Sequence, residues 1–599
     1  MILSIRKHSK CFFTLALLAA VLFSGTAAHA TIAYTISAAY PEQHLFHVEM
    51  SIPNVSGEVI VQLPAWNALY QIRDFSGHME RVEAAVLAGP VAIEKLDKQT
   101  WRISGNGAIT IRYSTYWDES GPYATQLNSE HAFINPAMIL LYARDRRSED
   151  ARVCLRDLPA EWRTTMDAED LAGARQACSV ARSYDALADT PIEAGKFEQF
   201  VLPGITPEIR VVVHGDNWKR SRVEEELTRI CRYELKVMDG APFDRYTFLL
   251  HIGKGAARAG GGMEHANSTA ISVPSDEFLA GVAAHEFFHL WNVKRIRPAS
   301  LEPVDYTEEQ YTRALWFAEG VTSTYGAYTL LRSGLWSKQQ LYEDLSQQIS
   351  ELEERPAGKW QSAEESSLDA WLEKYALYNR GEESISYYTK GQVLGVLLDI
   401  LIRERSESQK SLDDVLRAMN TEFAKTGKTY RDSLDVRLTA EKVAGGSFEE
   451  FFARYVAGTD RLPYGKVLAL AGMELREIEH HSAVLGFFAD RDASGAVIVG
   501  SVDSAGTAAA AGLRVGDVIA SWNGADTPRR VERWVSGQKP GNTLRLHVRR
   551  DEKEMDVEFH LGEVRDVRYE VVEMAHPSDT ARRIREGWLH GTTSGAATR

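Results

Sequence analysis

His285-Glu286-Phe287-Phe288-His289 sets two imidazoles four positions apart with a carboxylate between them. On a helix, residues four apart share one face, so both rings can meet a single ion, and zinc is the ion such a pair most often holds. A catalytic zinc site takes three protein ligands and keeps the fourth position for water, whose pKa the metal lowers toward neutrality. Glu286 projects beside that face, where a general base is needed. The pentapeptide alone also occurs without a metal, so a third ligand has to be found.

Glu319 answers that need. It lies in Ala314-Leu315-Trp316-Phe317-Ala318-Glu319-Gly320-Val321, an apolar helical stretch in which an unpaired carboxylate is costly to bury. A bound cation removes that cost; the competing reading is a buried salt bridge to Lys294, Arg295 or Arg297. Glu302, Glu308 and Glu309 have polar neighbours and are poorer ligand candidates. The 30 positions from His289 to Glu319 leave room for a loop and a second helix packed on the first.

These residues need a scaffold, and 599 residues supply three or four compact units. Residues 1–30 read as a removable secretory signal: Arg6, Lys7 and Lys10, an apolar run from Cys11 to Phe23, then Ala28-His29-Ala30. Nothing later is apolar enough to span a membrane. The chain is therefore expected to be exported, to the periplasm first and the medium second. Removing the signal takes the net charge from -15 to -18, which argues against a nucleic-acid partner. Of the remaining cysteines, Cys154 and Cys178 are close enough in sequence to pair in an oxidising compartment, leaving Cys231 as a buried thiol.

Short alternating runs such as His47 to Ile52 and Val59 to Leu63, broken by turn residues, predict a β-sandwich over 31–195. Over 196–465 the spacing turns helical after strands at Arg210 to Val213 and Thr247 to Ile252. Helices are expected at Leu279 to Trp291, Gln310 to Leu331, Gln392 to Arg405 and Leu412 to Phe423. A small β-rich module occupies 470–565, with strands at Ala496 to Val502 and Leu544 to Val548. Residues 574–599 are polar, with Gly, Ser and Thr, and are read as a flexible tail. The fold class is multidomain α+β.

His285 to His289 followed at once by Trp291-Asn292-Val293-Lys294-Arg295-Ile296-Arg297-Pro298 resembles the glycyl-aminopeptidase-like gluzincin metallopeptidases that carry a C-terminal PDZ domain. Three further segments fit in order: Tyr184-Asp185-Ala186-Leu187-Ala188-Asp189-Thr190-Pro191, Gly261-Gly262-Met263-Glu264-His265 and Tyr387-Tyr388-Thr389-Lys390-Gly391. The resemblance implies a thermolysin-like catalytic domain holding one zinc ion. It further implies that backbone at Gly262 and Met263 binds substrate as an added strand, that Glu264 grips the free α-amino group, and that the Tyr388 hydroxyl donates to the oxyanion. A carboxylate at a fixed distance from the metal is what exopeptidase specificity requires. His265 departs from the Asn of the better-known pattern. In Pro64 to Phe75, Ala68-Leu69 replaces the usual Pro-Gly before Tyr70.

Ala511-Gly512-Leu513-Arg514-Val515-Gly516-Asp517-Val518-Ile519 with Asn523-Gly524 looks like a PDZ signature, which would make Leu485, Gly486 and Phe487 the carboxylate-binding loop for a C-terminal peptide ligand. A purely structural PDZ fold is the alternative. The expected activity is zinc-dependent hydrolysis of the N-terminal bond of peptides with a free amine, Gly and Ala first. The rivals are a PDZ-guided endopeptidase and a peptide-binding scaffold. Lys294, Arg295 and Arg297 are expected either to meet a peptide carboxylate or to form internal salt bridges.

Overall fold

The computed structural model describes residues 31–67, 70–166, 176–253, 260–373, 379–492 and 494–594. The expected signal and the Ala68-Leu69 departure lie outside the described residues.

Period-two alternation builds the first unit. In Leu45–Val55 the side chains of Phe46, Val48, Met50 and Ile52 are buried, and in its antiparallel partner Gly107–Tyr116 so are Ile109, Ile111 and Tyr113. These residues form one face of a seven-stranded sheet. Val61, Trp101 and Ile103, from a four-stranded sheet, share its core, which gives the expected β-sandwich. Cys154 and Cys178 stand opposite each other on adjacent antiparallel strands and are joined as a disulfide. Cys231 is free and buried. A further small sheet contains His131–Ile134 and Ile192–Gly195. From it Phe133 packs on Val212, Leu249 and Ala270 of the next unit.

That next unit opens on a five-stranded sheet in the order Glu198–Val201, Glu208–Gly215, Arg245–Ile252, Ser268–Val273, Gly261–Glu264. Among the described residues the last strand pairs on one side only, with Ser268–Val273. The helices then follow, and the apolar spacing set their places more closely than their ends. The helix that carries His285 runs Leu279–Phe288, with His289 as its C-cap, rather than to Trp291. The helix expected from Gln310 starts only at Trp316, as a π-helical turn Trp316–Val321 continued by Thr322–Arg332; Tyr311 is exposed and the chain before the turn is irregular. The helix expected from Gln392 starts earlier, at Tyr387, because Ser386 caps it by accepting from Thr389 N.

Met473–Val484 and Gly562–Glu573 pair along their whole length as an antiparallel ribbon, and between them lies a five-stranded sheet with its own core of Val499, Leu513, Ile519, Leu546 and Phe559. At the ribbon's root, Ser350 and Ser346 of the helix Lys338–Glu353 accept from Tyr569 N and Val571 N.

The expectation of a flexible tail over 574–599 is corrected for residues 574–594; the last five lie outside the described residues. Asp579–His590 is a helix capped by Ser578, with Ala581, Ile584, Arg585 and Trp588 buried. These sit at i, i+3, i+4 and i+7, one buried stripe of three apolar residues and an arginine inside a polar composition, and only contact with the catalytic unit shows its use. Trp588 is fully buried, donates from Nε1 to Tyr328 Oη at 2.8 Å, and its carbonyl accepts from Arg332 Nη2 at 2.7 Å. Among the described residues no helix is long and apolar enough to cross a membrane.

Candidate active site

The two helical histidines and Glu319 do converge. His285 Nε2 lies 3.0 Å from His289 Nε2, and Glu319 Oε2 lies 3.3 Å from the first and 3.2 Å from the second. Ligands at zinc distances and tetrahedral angles stand roughly 3.3 Å from one another, so this triangle fits three ligands of one zinc ion with a fourth position open. The outer ring nitrogens agree. His289 Nδ1 donates to Asn292 O at 2.6 Å. Ser323 Oγ donates to Glu319 O and accepts from His285 Nδ1 at 3.3 Å. Each Nε2 is left as a lone pair directed at the common centre, the arrangement metal-binding imidazoles adopt.

Glu319 reaches that centre from the π-helical turn, a form that recurs at functional sites. The turn is held from both sides. Asn292 Nδ2 donates to Phe317 O at 2.8 Å and to Thr322 Oγ1 at 3.2 Å, tying the turn to the histidine helix. On the other side Gly320 meets Gly391 of the helix Tyr387–Arg405 so closely that a β-carbon on either would strike backbone. The basic residues do not pair with Glu319. Lys294 Nζ binds Asp189 Oδ1 at 2.8 Å, Arg295 donates to the carbonyls of Leu290 and Ala266, and Arg297 pairs with Glu302.

Glu286 is buried, and one of its carboxylate oxygens has no hydrogen-bond partner among the described residues. Burial pushes its carboxyl well above the ordinary range; His289 opposes this, and Glu264 and Glu319 add to it. Glu264, at the end of the edge strand Gly261–Glu264, brings a carboxylate oxygen within 4.8 Å of those of Glu286 and of a His289 nitrogen. Among the described residues no strand pairs with its outer edge. Gly262 is required there because a β-carbon would overlap the Glu286 side chain. Met263 is buried, and its sulfur accepts from Asn135 Nδ2 of the sandwich at 3.6 Å. Tyr388, in the first turn of its helix, has its ring 6.1 Å from that of His285, while Tyr387 is buried behind it.

Three segments singled out in the sequence meet at one carboxylate. Asp189 accepts from Lys294, from Ala266 N at 2.9 Å, and from the buried ring of His265 at 3.1 Å. These contacts hold its carboxyl far below the usual range, outweighing burial. His265 therefore anchors the strand end and its side chain is turned away from solvent.

Tyr70 and Tyr123 from the sandwich were not assigned to the site by the sequence, yet they border it. The Tyr123 hydroxyl is 3.8 Å from where a β-carbon of Gly261 would stand. Tyr70, with Trp66, Met263, Glu264, Arg297 and Gln310, lines an adjoining cavity of about 250 Å³. Tyr70 lies in the motif Pro64 to Phe75 but carried no site role there, and no local pattern marks Tyr123; both arrive by domain packing.

In the small module, Leu485 and Gly486 follow the ribbon and Phe487 begins the edge strand Phe487–Arg491. Gly486 has φ 71° and its carbonyl accepts from Asp503 N. The Phe487 ring faces inward, toward Trp522 and Phe559.

Residues 33–196 match the peptidase M61 N-terminal domain, 278–394 the M61 glycyl aminopeptidase, and 472–561 a PDZ domain. No curated protein matches the sequence. Among solved structures, an aminopeptidase N family protein from Idiomarina loihiensis is 25% identical, with 93% of this chain and 100% of that one covered at a TM-score of 0.79. An M1 zinc metallopeptidase from Deinococcus radiodurans is 13% identical over 72% of this chain and 95% of its own, at a TM-score of 0.46. Legionella pneumophila aminopeptidase A, in complex with aspartic acid, is 12% identical over 91% of this chain and 56% of its own, at 0.43. The chain thus carries matches to the N-terminal and catalytic domains of the M61 glycyl aminopeptidases followed by a match to a PDZ domain, and is a metallopeptidase of the aminopeptidase type.

Proposed function

We propose that this enzyme removes the N-terminal residue from peptides with a free amine, Gly and Ala before larger residues, with one zinc ion held by His285, His289 and Glu319. The observation that supports it most is the placing of Glu264: a carboxylate at the end of a free-edged strand, within 4.8 Å of the general-base candidate and of a ligand nitrogen. A peptide added along that edge through the backbone of Gly262 and Met263 presents its ammonium to Glu264 and its first peptide bond to the centre.

When bound, zinc acidifies water and polarises the scissile carbonyl. Glu286 takes a proton from the attacking water and delivers it to the leaving amine, a task suited to a carboxyl whose pKa burial has raised. Tyr388 donates to the oxyanion as it develops. The small-residue preference is supported by the description of the matching family. Export to the periplasm is supported by the pattern of residues 1–30, and the disulfide suits an oxidising compartment. The PDZ loop Leu485 to Phe487 takes a C-terminal peptide.

The test is hydrolysis of a panel of aminoacyl-p-nitroanilides and matched N-acetylated peptides, with zinc added or chelated, beside Glu286→Gln. Release from free-amine Gly and Ala substrates, dependent on zinc and reduced by about 10²- to 10⁴-fold in the variant, is expected. Cleavage that survives acetylation would indicate an endopeptidase instead. Zinc binding without turnover would indicate a scaffold.

A further inference from the structure

A second cluster of ligand-type side chains lies at the junction of the sandwich and the catalytic sheet. His131 and Glu193 stand on paired strands of the sandwich's small sheet, and His251 on the strand Arg245–Ile252 across the boundary. They are 4%, 1% and 8% exposed. His131 Nδ1 lies 2.8 Å from Glu193 Oε1, His251 Nε2 lies 2.9 Å from Oε2, and three donor atoms of the cluster fall within 4.8 Å of one another.

One proton on His131 can be assigned. Gln126 Nε2 donates to Asp118 Oδ1 at 3.0 Å, which turns the amide oxygen of Gln126 toward His131 Nε2 at 3.2 Å. That oxygen only accepts, so His131 carries a proton on Nε2, and its Nδ1 faces a carboxylate oxygen either as a second N–H or as a lone pair. Two lone pairs at 2.8 Å repel, so in the second case positive charge must lie between them. His289 follows the same pattern in the active site, its outer nitrogen committed to a protein carbonyl and its inner lone pair facing Glu319 and a second imidazole. His214, stacked on His131 with ring centroids 3.9 Å apart, likewise has Nδ1 committed to Lys196 O.

We propose that His131, Glu193 and His251 bind a second divalent cation, zinc by the chemistry of two imidazoles and a carboxylate, which fastens the sandwich to the catalytic sheet. The ligands come from both units, so the ion cross-links them and has no part in the peptide chemistry.

Metal content of the purified full-length chain, dialysed against metal-free buffer, tests this. Two equivalents of zinc are expected in the wild type and one in Glu193→Gln. One is also expected in His289→Gln, which retains the junction ion. In the His289→Gln background, a strong chelator should lower the unfolding temperature, and the further change Glu193→Gln should abolish that response. A wild type with one equivalent, or a His289→Gln variant with none, would overturn the proposal and leave a protonated His131 paired with Glu193. Two equivalents persisting in Glu193→Gln would overturn it as well.

Discussion

Gly262 and Glu286 share one volume: the side chain of the general-base candidate lies where a β-carbon of Gly262 would be. The strand that is to receive the peptide and the helix that carries the base therefore approach each other closely, and only glycine allows it. Gly262→Ala should move Glu286 off its position and lower kcat/KM by about 10²-fold or more, since misplacing a catalytic group by an ångström costs that much. Zinc content should stay at the wild-type value. Loss of zinc along with activity would mean that the whole site had rearranged.

Asn292 joins the two ligand-bearing elements, its carbonyl accepting a hydrogen bond from His289 Nδ1 and its amide donating to the turn that presents Glu319. Asn292→Ala removes the second link and should weaken zinc binding about 10- to 100-fold, the usual effect of losing such an outer partner. Competition with a chromophoric chelator measures it. An unchanged affinity would show that Gly320 packed on Gly391 holds the turn unaided.

Trp588 fills the catalytic core from beyond the PDZ domain. Trp588→Ala should destabilise the catalytic unit by about 3–5 kcal/mol, read as a lowered calorimetric transition, with the PDZ transition unmoved. A shift in both together would show that the ribbon makes the two units unfold as one.

Asp344, on the helix Lys338–Glu353, accepts from Gln392 Nε2 of the tyrosine helix at 2.7 Å. Burial, opposed by that hydrogen bond and one from Gln348, pushes its carboxyl up to about 6. The folded chain then holds this proton more tightly than the unfolded chain, whose Asp titrates near about 4, so stability falls as pH rises from about 4 through 6. Asp344→Asn should raise the unfolding temperature at about pH 7.5 and leave it unaltered at about pH 4. An equal gain at both values would trace the effect to packing instead of charge.

His285, Glu286, His289 and Glu319 were legible in the sequence because local rules govern them: a four-residue helical spacing, and a carboxylate in apolar surroundings that needs a cation. The sandwich was legible from alternation and the PDZ domain from its turn signature. Helix ends were less so. The start expected at Gln310 failed because the chain before Trp316 packs irregularly, and the tail was misread because its apolar stripe is diluted by polar residues. The role of Asn292 was also hidden: its sequence position does not show that its side chain meets carbonyls 25 and 26 residues away.

By itself the sequence determined the chemical types and the local spacing, namely two imidazoles on one helical face, a base between them, and a buried carboxylate downstream. Tertiary structure alone decided the distances among Glu264, Glu286 and Glu319, the entry of Tyr70 and Tyr123 from another domain, and the meeting of His131, Glu193 and His251 at the junction. The physical reason is range. Helical periodicity acts over a few residues, whereas each of these meetings depends on how separately formed elements bury their apolar faces against one another.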